Sequence, residues 1–142
     1  MAEVLVRSKT GLTHEITVRD HHLLTDEPAP AGNDAGPNPY ELLLGALGAC
    51  TAMTLRLYAD RKGWPLRGVD VALSHDRIHA ADCADCDTRE GYLDRITKRI
   101  TLHGDLDAEQ RQRLGEIAER CPVQRSIQRE VVIEQQVDVE TW

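Results

Sequence analysis

The sequence predicts an α+β fold, organised as one domain over residues 1–142. One long helical segment is apolar on nearly its whole surface, alternating runs before and after it are typical of strands, and an amphipathic helix follows. The predicted order, β-β-(β)-α-β-β-α-β, lacks the strict alternation of strand and helix of a doubly wound fold. We therefore expect a long buried central helix wrapped by antiparallel sheets.

The composition is that of a globular chain with an aliphatic core. Hydrophobic residues make up 41% and charged residues 29% of the sequence, and there is no phenylalanine. The net charge of −7 argues against nucleic acid and membrane as partners, since both favour concentrated lysine and arginine. No export signal opens the sequence, and the central helix looks too short and too interrupted to span a bilayer. We expect a cytoplasmic protein.

The N-terminal part predicts two or three short strands. Residues 2–8 form an apolar run, 9–11 mark a turn, and Thr13–Val18 alternates as the returning strand. Residues 21–26 have the pattern of a third strand. Three prolines and two glycines make 27–37 a loop that leads into the central helix.

The central helix has well-marked ends. Asn38 is a favourable N-cap, Pro39 suits the first helical position, and Glu41 completes a capping box. Gly63 ends the helix. Because residues 42–57 are apolar on nearly every face of the helix, we expect the helix to be buried on every side. A chain of this size has few residues with which to cover such a helix, so a sheet wrapped around it or a second subunit is implied.

The second half predicts a long hairpin and a second helix. Residues 67–79 and 92–103 alternate as strands on either side of a polar connector, 80–91. Asp107 and Gln110 form a capping box for a helix that Pro122 ends at Cys121. After a connector at 126–130, residues 131–139 have the pattern of a closing strand.

Two cysteines, Cys50 and Cys121, fall on the apolar faces of the two helices. If both faces meet in one core, the sulfurs can approach each other. The alternative is two unrelated core thiols, because free cysteine is among the most buried residue types.

Three motifs carry a family resemblance: GPNPYELLLGALGAC at 36–50, YADRK at 58–62 and AERCPV at 118–123. Together they resemble the OsmC/Ohr superfamily, named after osmotically inducible protein C and the organic hydroperoxide resistance protein. The resemblance runs over nearly the whole chain, and the NPxE version looks closer to a less characterised branch than to the two peroxidase branches. It implies an intertwined homodimer with two active sites at the interface.

The resemblance also implies a chemistry. In the peroxidase members a helix cysteine attacks an organic hydroperoxide and becomes a sulfenic acid, which a later cysteine resolves to a disulfide. By position, Cys50 is the peroxidatic residue and Cys121 the resolving one. A dithiol or lipoyl-type reductant then restores the thiols. The alternative function is a non-enzymatic dimer that binds a small hydrophobic or electrophilic ligand at its interface.

The activating groups depart from the family pattern. A buried cysteine needs a cationic partner, and the peroxidases use an arginine held by a glutamate. Tyr40 stands where that glutamate is expected, and Glu41 follows one position later, half a helical turn out of phase with Cys50. Arg7 and Arg19 are the arginine candidates.

A second group, His75, His79, Cys83 and Cys86, has the ligand types and count of a tetrahedral zinc site. The alternatives are a disulfide or redox pair and ordinary solvated loop residues. Neighbouring carboxylates raise a thiol pKa, which disfavours a redox role for this pair, and a lone CxxC is a moderate signal.

Overall fold

A computed structural model describes residues 3–84 and 86–141. The elements, in order, are β1 (Leu5–Thr10), β2 (Thr13–Val18), β3 (His21–Thr25), α1 (Pro39–Lys62), β4 (Leu66–His79), β5 (Tyr92–Gly104), α2 (Ala108–Ala118) and α3 (Pro122–Ile127). The α+β class is confirmed. The predicted start of the first strand at residue 2 lies outside the described residues.

The chain divides into two compact units, and α1, β4 and β5 run through both. The first unit comprises Met1–Gly48 and Ala72–Arg99, and the second Ala49–Val71 and Ile100–Trp142. The single domain over 1–142 stays a prediction.

The first unit contains an antiparallel sheet of order β1-β2-β3. Leu5 pairs with Thr17 and His14 with Thr25, and Gly11 takes a φ of 55° in the first turn, a conformation that glycine adopts at little cost. Where the sheet leads into the loop, the buried Asp26 accepts a hydrogen bond of 2.7 Å from the Thr13 hydroxyl. Backbone N–H groups of Glu27, Asn33 and Ala35 also donate to this carboxylate, so the loop is tied to the sheet.

The predicted cap of α1 is present. Asn38 N–H donates to Glu41 Oε1 at 2.8 Å, and Glu41 N–H donates to Asn38 Oδ1 at 2.9 Å. The helix ends at Gly63, whose φ of 67° favours glycine.

Within this chain α1 is buried along a single stripe. Leu47, Thr51, Leu55 and Ala59, spaced four residues apart, are each no more than 3% exposed. Met53 and Leu57, on other faces, are 65% and 66% exposed. The remaining apolar surface of the helix is therefore left uncovered by its own chain.

The expectation that α1 is too short to cross a bilayer is wrong. The helix has 24 residues, and its mean hydropathy of 1.5 meets the composition expected of a membrane span. The core helix of a soluble protein satisfies the same criterion, and 28% of the apolar stretch is buried in this chain. Length and composition therefore do not distinguish the two settings.

The core of the second unit joins α1 to α2. Leu55, Ala59, Leu66, Leu114, Ile117 and Ala118 form its buried cluster. Tyr58 and Trp64 pack against this cluster with their rings edge to face, 5.5 Å between centroids.

Strands β4 and β5 form a two-stranded antiparallel sheet. His103 Nε2 lies 2.7 Å from Asp70 Oδ2, and Arg95 makes two hydrogen bonds to Asp76. Residue numbers therefore increase along β4 where they decrease along β5, as in an antiparallel pair. The predicted long hairpin is confirmed.

Two elements near the C-terminus differ from the prediction. Helix α2 ends at Ala118, three residues before its predicted end at Cys121. Cys121 is the N-cap of α3, a short helix whose last two residues overlap the connector predicted at 126–130. Proline removes a hydrogen-bond donor inside a helix but is favourable in its first turn, so Pro122 separates two helices. The predicted strand over 131–139 is not formed: these residues have no regular structure, and a strand requires a partner edge to satisfy its backbone groups.

Candidate active site

The structure brings Cys50 and Cys121 together in the second unit. Both are free thiols; Cys50 is partly exposed, whereas Cys121 is completely buried. The two side chains are joined by a hydrogen bond. The pair is therefore held in reach for disulfide formation, but no disulfide links it here.

Local sequence explains the surroundings of each sulfur. Thr54 lies one helical turn after Cys50, and its hydroxyl hydrogen-bonds the Cys50 thiol. Thr51, fully buried in the stripe of α1, donates to Cys121. The start of α3 places the backbone N–H groups of Val123 and Gln124 toward Cys121.

The pKa values of the two thiols are shifted in opposite directions. Burial raises the pKa of Cys50, and its hydrogen bond to Cys121 raises it further, against smaller lowering effects of Val123 N–H and the Thr54 hydroxyl. Burial also acts to raise the pKa of Cys121. Hydrogen bonds from Cys50, Gln124 N–H, Thr51 and Val123 N–H outweigh it, so the pKa of Cys121 is lowered. Cys121 is therefore the more acidic member of the pair, and Cys50 is the donor in the hydrogen bond between them.

A cavity of about 360 Å³ lies beside this pair. It is lined by Thr54, Leu57, Arg61, Arg120 and Pro122. Thr54 hydrogen-bonds Cys50 and Pro122 follows Cys121 in the sequence, so the cavity is lined by neighbours of both cysteines. Its lining combines an apolar wall with two guanidinium groups, which suits a small molecule that is apolar at one end and polar at the other.

The arginines expected from the sequence lie elsewhere. Arg7 is in β1, paired in register with Glu15, and Arg19 is in the turn between β2 and β3 with a φ of 52°. Both belong to the first unit, as does Glu41, whose carboxylate is engaged at the N-cap of α1. Their roles at Cys50 stay predictions.

Sequence reasoning missed Arg61, Arg120, Thr51 and Thr54. Arg120 directly precedes the Cys-Pro pair in the sequence. That adjacency was the available signal for Arg120, and the i,i+4 spacing from Cys50 was the signal for Thr54.

Tyr40 stacks on the ring of His75, with centroids 4.7 Å apart and planes 13° from parallel. His75 Nε2 also lies 2.9 Å from Asp94 Oδ1. The position of the family glutamate is thus filled by an aromatic contact in the first unit.

The four expected zinc ligands have other partners. Cys83 and Cys86 form a disulfide, His75 contacts Asp94, and the ring of His79 packs on Tyr92 with centroids 4.5 Å apart. Within residues 3–84 and 86–141, no group of three or more His, Cys, Asp or Glu side chains is arranged to hold a metal. Zinc binding stays a prediction that requires the disulfide to be reduced.

Comparison with known proteins adds a family assignment. The family described as OsmC-like protein matches residues 32–136. A search of curated proteins finds no significant match.

Solved structures share the fold at low sequence identity. An OsmC-like protein from Mycoplasma pneumoniae is 17% identical with a TM-score of 0.71, covering 90% of this chain and 87% of its own. The organic hydroperoxide resistance protein OsmC from Legionella pneumophila is 18% identical with a TM-score of 0.61, covering 88% of each chain. An OsmC-like protein of unknown function from Vibrio cholerae is 14% identical with a TM-score of 0.68, covering 94% of this chain and 97% of its own. At these identities the likeness concerns the fold.

Because the family match spans most of the sequence, and both cysteines of the hydrogen-bonded pair fall within it, the chain belongs to the OsmC-like protein family.

Proposed function

We propose that this protein is a thiol-dependent peroxidase that reduces small organic hydroperoxides and contributes to defence against oxidative stress. The observation that carries the proposal is the hydrogen-bonded Cys50–Cys121 pair beside a cavity with two arginines. The similarity in fold to the hydroperoxide resistance protein of Legionella pneumophila supports the same class of chemistry.

The first step uses the proton shared by the two cysteines. Cys50 is the nucleophile because its sulfur is partly exposed, whereas Cys121 is buried. Cys121 accepts the Cys50 proton, and the Cys50 thiolate attacks the distal oxygen of the hydroperoxide. The O–O bond breaks, Cys50 becomes a sulfenic acid, and the alkoxide takes the proton from Cys121 and leaves as the alcohol.

The second step uses the thiolate regenerated on Cys121. It attacks the sulfur of the Cys50 sulfenic acid, the S–O bond breaks, and the departing hydroxide takes a proton to form water. The product is a Cys50–Cys121 disulfide. A dithiol or lipoyl-type reductant returns both thiols in exchange for its own cyclic disulfide. In sum, one hydroperoxide and two thiols give one alcohol, one water and one disulfide.

Arg61 and Arg120 provide the positive charge at the cavity. A guanidinium stabilises the negative charge that develops on the departing alkoxide oxygen. Leu57 provides apolar contact for the organic group. The roles of Arg7 and Arg19 at Cys50 stay predictions beside this assignment.

We further propose that the protein acts as a cytoplasmic homodimer. A single chain leaves Met53 and Leu57 on α1 about two-thirds exposed, and Val132, Ile133 and Val139 near the C-terminus more so. Apolar surface of this extent is typical of an interface. A second copy offers the same uncovered faces, which suits an isologous contact.

The test is consumption of cumene hydroperoxide with dithiothreitol as reductant, comparing wild type, Cys50→Ser, Cys121→Ser and Cys83→Ser. We expect Cys50→Ser to reach the background rate and Cys121→Ser to form the sulfenic acid but turn over poorly. Cys83→Ser, which changes a cysteine outside the pair, should retain the wild-type rate. Equal background rates for wild type and Cys50→Ser would refute the peroxidase. If both proteins show only the background rate but bind the hydroperoxide saturably, the non-enzymatic ligand-binding function is favoured.

A further inference from the structure

The end of the β4–β5 hairpin carries a second pair of cysteines. Cys83 and Cys86, three residues apart, are joined by a disulfide with their Cα atoms 5.6 Å apart. Both residues are half-buried, and their described neighbours Asp82 and Asp87 are exposed. The sulfurs are therefore not sealed in a core, and a thiol from solution has a route to them.

The hairpin end does not depend on this bond. Ala80 N–H donates to Gly91 O at 2.9 Å, and the rings of His79 and Tyr92 pack together just below that hydrogen bond. A crosslink across two intervening residues removes little freedom from an unfolded chain, since the entropic effect grows with loop length. Opening the disulfide should leave the hairpin folded.

The surrounding sequence is strongly acidic. Between residues 82 and 90 stand Asp82, Asp85, Asp87 and Glu90 against a single arginine, Arg89. Nearby carboxylates repel an approaching anionic thiolate, and they give no stabilisation to a thiolate on either cysteine. Strongly oxidising CxxC pairs owe that property to a stabilised reduced form, which is missing here.

We propose that Cys83 and Cys86 are a second redox site, a reversible dithiol–disulfide pair that exchanges with neutral or cationic thiols independently of Cys50 and Cys121. In the cytoplasm, the location proposed above, a disulfide is usually transient, which agrees with a pair that opens and closes. This function goes beyond the peroxidase and does not require it.

The exchange balances as a two-electron reduction by a dithiol. One thiolate of the dithiol attacks a sulfur of the Cys83–Cys86 bond, which breaks as a mixed disulfide forms, and the displaced cysteine takes a proton. The second thiolate of the dithiol then attacks the reductant's other sulfur, which is bonded to the protein in the mixed disulfide. The other cysteine leaves and is protonated, and the reductant departs as a cyclic disulfide.

The first experiment uses the full-length chain with Cys50→Ser and Cys121→Ser, in which Cys83 and Cys86 are the remaining cysteines. The protein is equilibrated natively in buffers of reduced and oxidised dithiothreitol, quenched with acid and alkylated, and the masses are measured. We expect reversible interconversion of disulfide and dithiol, with circular dichroism and the thermal midpoint nearly unchanged. Free thiols under fully oxidising conditions, or a bond that opens only after unfolding, would overturn the proposal.

The second experiment measures reduction rates with cysteamine and with glutathione, each corrected for its thiolate fraction. Cationic cysteamine should react several-fold faster than anionic glutathione, and high salt should narrow the difference. The variant Asp82→Asn with Asp87→Asn should narrow it too. Equal rates at low salt would refute the charge selectivity, and stoichiometric zinc that blocks reoxidation of the reduced pair would replace the redox site by a metal site. Since this chain lacks Cys50 and Cys121, failure here leaves the peroxidase proposal untouched.

Discussion

The Cys50 thiol donates a hydrogen bond to the sulfur of Cys121, and the two cysteines have their pKa values displaced in opposite directions. Each cysteine thus contributes to the pKa shift of the other. The pair behaves as one acid with one readily lost proton, so its first ionisation belongs to both residues.

Removing either cysteine should therefore shift the other in a defined direction. In Cys121→Ala, Cys50 loses a hydrogen bond and a repulsion that raise its pKa, so that pKa should fall. In Cys50→Ala, Cys121 loses a hydrogen bond that lowers its pKa, so that pKa should rise. The check is the pH dependence of alkylation rate for each variant, with Cys83 and Cys86 kept oxidised. Shifts of the same sign in both variants would contradict the coupling.

The two threonines should act on different sulfurs. Thr51→Val removes a donor to Cys121 and should raise the pKa of Cys121, while Thr54→Val removes a donor to Cys50 and should raise the pKa of Cys50. A hydrogen bond of about 1 kcal/mol corresponds to a roughly fivefold slower disulfide formation in Thr51→Val near neutral pH. Stopped-flow trapping after a hydroperoxide pulse measures this rate. Valine keeps the shape of threonine, so unchanged thermal midpoints serve as the control for packing.

The stability of the first unit should depend on pH through Asp26. The Thr13 hydroxyl, followed by three backbone N–H groups, lowers the pKa of this carboxyl against the opposing effect of burial. Since folding lowers this pKa, the stabilisation is present above the unfolded value and is lost as pH falls through the folded one. Asp26→Asn should lower the thermal midpoint at neutral pH, and the deficit should shrink in acid.

The exposed carboxylate of Asp20 offers the matched control. Asp20→Asn should have little effect on the midpoint at either pH. A deficit in Asp26→Asn that stays constant across the acid range would mean that packing, and not ionisation, causes it.

The uncovered face of α1 should determine self-association. Met53→Lys places a charge on a side chain that is 65% exposed in one chain and would be buried between two. We expect the dimer to dissociate at concentrations where wild type stays associated, as measured by sedimentation velocity. Gln112→Lys adds the same charge at an exposed position on α2 and should remain dimeric. Dissociation of both variants would point to net charge as the cause.

Much of the fold could be predicted because it rests on local signals. Thr13–Val18 matches its predicted bounds, and the α1 cap was readable from Asn38, Pro39 and Glu41. The errors in the C-terminal elements share a cause, because these elements depend on the parts of the structure around them. Helix α2 stops at Ala118, and Pro122 begins a new helix, α3. The alternation of 131–139 favours a strand but does not supply the neighbouring strand that it would pair with.

The candidate site shows the same limit. Helical faces indicated that Cys50 and Cys121 can meet, since both lie on apolar stripes. The sequence did not indicate which thiol has the lower pKa, because that depends on N–H groups of α3 and on Thr51 across the core. Arg120 was missed because a charged residue beside an apolar stripe can face solvent or a cavity equally well.

The C-terminal stretch from Val131 to Val139 has a consequence for how the protein can be handled. Its valines and isoleucine are between 58% and 89% exposed in one chain. An exposed segment rich in β-branched residues, whose backbone is not paired in a sheet, is prone to pair with other chains. Association with a second chain and aggregation thus compete for the same residues. Truncation after residue 130 should therefore reduce aggregation, while the α1 face stays available for self-association.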